Sequence, residues 1–275
     1  MKVNAMLQAY ADRRDAFLLR VVHDLKQDDR FVAAWLAGSF GRGEADLVSD
    51  LDLHVVITDD YAQTLLEKPA MVWASSTPER MALIRRYGEP VILHENHWNA
   101  ICEGTFTYCE YADLTKVDWM LMAQSKAVRP CFTRLLFERA PIPQAAAPES
   151  ETLDERKLSV TEQVGYLWLM MATGCKYIIR GDVYAVIHQF KIVHDTLDEI
   201  ERLLQGKPAI WGQHYLERFT VTDVSMLAWV QRVRELCAQM RVMSPRIEEF
   251  VGGPVHPDAF STIDTLLNIA DHEDA

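Results

Sequence analysis

Gly38–Val56 reads GSFGRGEADLVSDLDLHVV. A Gly38-Ser39 pair is followed, after ten intervening residues, by Asp50-x-Asp52 inside an apolar run. Side chains alternate faces along a strand, so Leu51 points into a core while Asp50 and Asp52 share the opposite face. Like charges held that close repel each other. A hard dication such as Mg²⁺, which takes carboxylate oxygens, removes the cost. A small glycine-containing turn just upstream can bring backbone N–H groups against phosphate oxygens. The stretch therefore carries both halves of a site for phosphoryl-group chemistry.

Working outward, Phe31–Ala37 (FVAAWLA) reads as a short buried strand ending at Gly38-Ser39, and Leu51–Thr58 (LDLHVVIT) as the next strand. Ahead of them, residues 5–27 have the spacing of an amphipathic helix, with Leu7, Phe17, Leu18, Val21, Val22 and Leu25 facing inward. Asp59-Asp60 reads as a turn or cap into a helix over 61–68, and Glu79–Tyr87 as a helix stopped by Gly88. Pro90–His94, Gly104–Tyr111 and Lys116–Met122 read as further strands. The last of these alternates Val117, Trp119 and Leu121 against Asp118, Met120 and Met122. The first half is thus expected to be a mixed α/β unit of about four or five strands.

Glu138–Glu155 carries Pro141, Pro143 and Pro148 and marks the domain boundary. It sets a first domain at 1–140, a linker at 141–155 and a second domain at 156–275. Beyond it the pattern is helical only. Ser159-x-x-Glu162 has the form of a capping box. Helices are expected over 160–180, 182–205, 221–241 and 257–271, with Gly252-Gly253-Pro254 separating the last two. The fold class is α/β (α+β): a small mixed sheet with helices, followed by an all-α bundle.

Residues 38–53, GSFGRGEADLVSDLDL, resemble the signature of nucleotidyltransferases of the DNA polymerase β superfamily. In form the stretch is closest to the minimal nucleotidyltransferases and to the lincosamide and aminoglycoside nucleotidyltransferases. The glycines, Arg42, Ser49 and both aspartates fall on the pattern. The resemblance implies that Gly38 and Ser39 hold the β- and γ-phosphates of a nucleoside triphosphate, with Arg42 and Ser49 in the nucleotide-binding set. It implies that Asp50 and Asp52 hold Mg²⁺, two ions being expected. The family uses a third carboxylate on a later strand, and Asp118 in its apolar strand fits best, since an unpaired carboxylate there is costly. Glu110 and Asp113 are rivals for that role and Glu95 a weaker one. Lys176 and Arg180, at i and i+4 on one helix face, resemble the Lys-x-x-x-Arg helix of streptomycin-type adenylyltransferases.

The implied reaction moves a nucleoside monophosphate, AMP from ATP by expectation, to a hydroxyl of a small molecule such as an aminoglycoside or lincosamide antibiotic, with pyrophosphate leaving. A protein AMPylator of the antitoxin type and a retired nucleotide-binding protein are the alternatives. Family analogy also sets a homodimer as an expectation.

The net charge of −12 argues against a nucleic-acid partner, because phosphate backbones demand a basic footprint. The five cysteines, Cys102, Cys109, Cys131, Cys175 and Cys237, form no CxxC pair and read as reduced thiols. With no apolar run of membrane length and no signal-peptide core, a cytoplasmic protein is expected. His94-Glu95-Asn96-His97 lacks the helix context of a metal motif and reads as a polar loop. Trp98 and Trp119 are candidates for stacking on a ring, with burial as the commoner fate.

Overall fold

The computed structural model describes residues 2–66, 77–95, 99–216, 223–256 and 258–273. The chain divides into two compact units, Met1–Ala147 and Pro148–Ala275. In the first unit the order is α1 (Lys2–Leu25), β1 (Phe31–Leu36), α2 (Gly38–Arg42), β2 (Leu51–Ile57), α3 (Asp59–Leu65), α4 (Pro78–Arg85), β3 (Pro90–Glu95), β4 (Thr105–Tyr111), β5 (Lys116–Ala123) and β6 (Arg134–Glu138). The strands form one six-stranded sheet in the order β3-β4-β5-β2-β1-β6. The β2–β5 pair is parallel and the other pairs are antiparallel.

Each face of this sheet follows from the alternation of its strands. Leu51, Leu53, Val55 and Ile57 of β2 join Val117, Trp119 and Leu121 of β5 on one face. Against them pack Phe17, Leu18, Val21 and Leu25 of α1, Ala62 and Leu65 of α3, and Leu83 and Ile84 of α4. Each large apolar side chain so buried contributes about 1.5–3 kcal/mol. The other face has a smaller apolar patch, Val32, Ala33, Trp35, Val56, Met120, Met122, Ala127 and Ile142. Asp52 and Asp118 stand on that second face, one pleat beyond His54 and Met120. β1, flanked on both sides, is buried at every position and so reads as a continuous apolar run rather than an alternating one.

Several boundaries differ from expectation, each for a local reason. Gly38-Ser39 is not a simple turn but opens the five-residue helix α2. The sixth strand, β6, escapes the sequence pattern: RLLFE buries only Phe137 and pairs with β1 at the sheet edge through an irregular register. The proline-rich stretch is not a free tether over its first residues. Ile142 is buried, and Arg129 exchanges backbone hydrogen bonds with Pro143 and Ala145.

The second unit is helical: α5 (Leu153–Ile179), α6 (Val183–Gln205), α7 (Met226–Val251) and α8 (Ala259–Glu273). The capping box belongs to Thr152 and Glu155 and not to Ser159 and Glu162, which lie inside α5. Glu155 accepts from the Thr152 backbone N–H at 2.9 Å, while Thr152 Oγ1 accepts from the Glu155 N–H at 3.4 Å. Val160, Val164, Leu167, Met171, Cys175 and Ile178 recur at helical spacing on α5 and meet Val186, Phe190, Val193, Leu197 and Ile200 of α6. Phe190 stacks on Trp229 of α7, ring centroids 5.2 Å apart. α7 runs to Val251, past the expected end at 241, and Gly252 terminates it in the left-handed region. The five cysteines are all free thiols. No described helix is long and apolar enough to cross a membrane.

Candidate active site

The site begins where β1 ends. The Ala37 N–H donates to the Asp52 carbonyl at 2.9 Å, clipping the strand exit to the start of β2. Gly38 then adopts φ +54°, and a Cβ at this position would lie 1.8 Å from Asp52 Oδ2. Only glycine lets the backbone approach this carboxylate so closely. Gly41 plays a packing part, since a Cβ there would meet the Phe132 carbonyl oxygen at 2.4 Å.

The loop from Gly43 to Asp50 is held from outside by α1. Arg14, only 5% exposed, donates through Nη1 to the carbonyls of Asp46 and Ser49, each at 2.9 Å. Its guanidinium lies 4.8 Å from the centre of the Phe40 ring. Ser49 Oγ donates to Asp46 Oδ1 at 2.8 Å and accepts from the Asp46 N–H at 2.9 Å. Ser49, expected in the nucleotide set, thus spends its hydroxyl on shaping the loop that delivers Asp50. Arg42 pairs with Glu44 at 2.8 Å. Ser39 is half-buried in the first turn of α2.

Sheet register assembles the carboxylates. Asp52 and Asp118 are direct neighbours across the parallel β2–β5 pair, and Asp50 precedes β2 on the same face. Lys116 opens β5 two residues before Asp118, so it shares that face. Its ammonium bonds Asp50 Oδ2 and lies 3.8 Å from Asp118 Oδ1, too far for a hydrogen bond. Asp118 is 7% exposed, and its Oδ1 is buried with no hydrogen-bond partner among the described residues. Glu110, across β4–β5 from Lys116, adds a fourth carboxylate to this face.

Burial in this crowd moves the protonation equilibria. Burial first, then the Asp52 and Asp50 charges, push the Asp118 carboxyl up to about 7 against the pull of Lys116. Asp52 is raised by burial and by Asp50, and Glu110 by burial and by Asp50. Lys116 is raised as well. Burial opposes its charge, but the bond to Asp50 and the fields of Asp118, Asp50 and Asp52 outweigh it. Tyr10 of α1 is raised by burial and by Asp50 and Glu110. His54, one pleat deeper than Asp52, is depressed to about 4 by burial alone, and its Nδ1 has no partner among the described residues.

The remaining candidates go elsewhere. Glu95 is not a third carboxylate: on the opposite face of the sheet it accepts from Arg80 Nε at 2.7 Å and Nη2 at 3.0 Å, in a pair that is almost wholly buried. Asp113 is exposed and accepts from the Thr115 N–H in the β4–β5 turn. Trp119 cannot serve as a stacking platform, because it is fully buried on the α1 side against Tyr87, centroids 5.8 Å apart. His94 is exposed and stacks on Tyr108, the register neighbour of Asp118. Lys176 and Arg180 stand exposed at the C-terminal end of α5 in the second unit, with Arg180 5.8 Å from the Tyr177 ring centre. His97 and Trp98 lie outside the described residues.

Asp50, Asp52 and Asp118 suit a hard dication by their chemistry, and the buried Asp118 Oδ1 has acceptor capacity that no described residue uses. Among the described residues no three His, Cys, Asp or Glu side chains already stand in metal-holding geometry. The carboxylates are instead arranged around the Lys116 ammonium.

The chain matches no protein-family model and no curated protein. Among solved structures it is similar to an aminoglycoside 6-adenyltransferase from Bacillus subtilis, with 12% identity over 92% of this chain and 97% of that chain and a TM-score of 0.30.

Proposed function

We propose that the chain is a nucleotidyltransferase that moves a nucleoside monophosphate from a nucleoside triphosphate, ATP in the first instance, to a hydroxyl of a small molecule. One observation carries the reading. The Gly38-to-Asp52 motif of the polymerase β superfamily delivers Asp52 directly opposite Asp118, with Asp50 alongside. Mg²⁺ held by Asp50, Asp52 and Asp118, as two ions by the family pattern, would neutralise and orient the triphosphate.

The chain's own residues do the rest. Gly38 and Ser39 offer backbone N–H groups and a hydroxyl to phosphate oxygens. The acceptor oxygen bonds to the α-phosphorus in line, the bond from that phosphorus to the bridging oxygen breaks, and pyrophosphate departs with the electron pair. Asp118 would ligate the metal beside the attacking oxygen and so help the acceptor hydroxyl lose its proton. An aminoglycoside or lincosamide acceptor rests on the motif's form alone.

The test is a calorimetric titration of ATP and GTP, with and without Mg²⁺, on the native chain and on Asp52→Asn. Mg²⁺-dependent binding that the substitution weakens is the expected result, followed by pyrophosphate release when aminoglycosides, lincosamides and simple polyols are screened as acceptors. A folded native chain that binds neither nucleotide in Mg²⁺ overturns the proposal.

A further inference from the structure

Lys116 occupies the oxygens that a metal would need. Its ammonium bonds Asp50 Oδ2 and approaches Asp118 Oδ1, and that Oδ1 has no hydrogen-bond partner among the described residues. Asp52 stands across the β2–β5 register from Asp118, with the Gly38 backbone close to its carboxylate. Three carboxylates share one face, with Glu110 beside them, and the Lys116 ammonium on β5 is the cation that bonds one of them, Arg42 adding its field at Asp52. A dication placed among Asp50, Asp52 and Asp118 would lie close to that ammonium, and like charges at that range repel. The two cations compete for the same ligands, and one must leave.

The lysine can leave, and it has somewhere to go. Its side chain is one-third exposed and ends a flexible four-carbon stem. A triphosphate arriving with its metal brings oxygens that can receive the displaced charge. Resting on the nucleotidyltransferase reading, we infer that Lys116 is a tethered counter-cation. It keeps the metal-free carboxylates assembled, holds the affinity for metal alone low, and moves to phosphate when metal and nucleotide enter together. The device makes loading of the site depend on the substrate.

The probe is Mn²⁺, followed through the spin-resonance signal of the free ion, on the full chain with and without a non-hydrolysable ATP analogue. The proteins compared are native, Lys116→Met, Lys116→Arg and Asp52→Asn. Native protein is expected to bind Mn²⁺ weakly alone and much more tightly with the analogue. Lys116→Met should bind Mn²⁺ alone tighter by roughly tenfold or more, each factor of ten being about 1.4 kcal/mol of relieved competition. It should also lose most of the enhancement by the analogue. Lys116→Arg, which keeps the charge, should behave as native. Lys116→Gln replaces Lys116→Met if the latter fails to fold.

An unchanged or weaker Mn²⁺ affinity in Lys116→Met overturns the inference while leaving the nucleotidyltransferase reading intact, provided native protein binds Mn²⁺ with the analogue and Asp52→Asn does not. Absence of Mn²⁺ binding in every protein, with or without the analogue, overturns both.

Discussion

Asp118 and His54 sit one pleat apart on adjacent strands of the same sheet face and pull stability in opposite directions with pH. Asp118 titrates at about 7 in the native protein, against about 3.9 unfolded. Between those values the native state holds a proton that the unfolded state lacks, so stability falls as pH rises from about 4 to about 7. His54 titrates at about 4 in the native protein, against about 6.5 unfolded. Here the unfolded state binds the extra proton, so stability is lost as pH falls from about 6.5 to about 4. In EDTA, Asp118→Asn should therefore melt above the native protein at pH 8, and the gap should close towards pH 5. A gap that does not vary with pH refutes this. His54→Leu should flatten the acid side of the melting profile. A third prediction at this scale concerns Gly38. Gly38→Ala puts a methyl group where Asp52 Oδ2 now stands, at a positive φ that costs of order 1–3 kcal/mol in its own right. Metal-dependent nucleotide binding by the variant should fall below detection in calorimetry while circular dichroism reports a folded chain.

Elements were legible in the sequence in proportion to how fully they are buried. β1, β2 and β5 announce themselves as apolar runs because both faces of the sheet's middle are covered or half covered. β6 does not, because an edge strand with one buried side chain leaves no pattern to read. Within the site the same rule holds. Asp50 and Asp52 show by strand period, and Asp118 by its apolar neighbours. Lys116, two residues before Asp118 on β5, falls on the same face by the same period-two rule that pairs Asp50 with Asp52. Arg14 left no local signal at all, because it acts on carbonyls 32 and 35 positions away.

That makes Arg14 an element-scale test. Arg14→Met should free the loop ahead of β2, seen as faster amide exchange over residues 44–50 with the rest of the sheet unchanged. The Arg80–Glu95 pair locks α4 to β3, and Arg80→Met should cost about 3–5 kcal/mol in chemical denaturation by stranding a buried carboxylate. A loss under about 1 kcal/mol would show that Glu95 simply takes up a proton.

At the scale of the whole molecule, the two units meet in sequence at Ala147–Pro148, and residues 146–149 are exposed. Flanking them, Ala145 is tied back to Arg129, and Glu151 is held by Arg202 with bonds of 2.6 and 2.9 Å. A glutamate-specific protease at limiting dose should cut first after Glu149, giving fragments that match the two units. Early cuts within α5 or the sheet would contradict that division.

The parallel pairing of β2 with β5 also has a temporal side. Asp50 and the ammonium that balances it are 66 positions apart, and α3, α4 and the β3–β4 hairpin lie between them. A nascent chain that has not yet delivered β5 carries its acidic pair without a counter-charge and without a neighbouring strand. Local contacts cannot build the centre piecemeal, and closing so long a loop is the slow part of folding such sheets. The acidic face therefore cannot be completed before β5 has paired with β2. A cation held there would report the pairing of β2 with β5 rather than seed it.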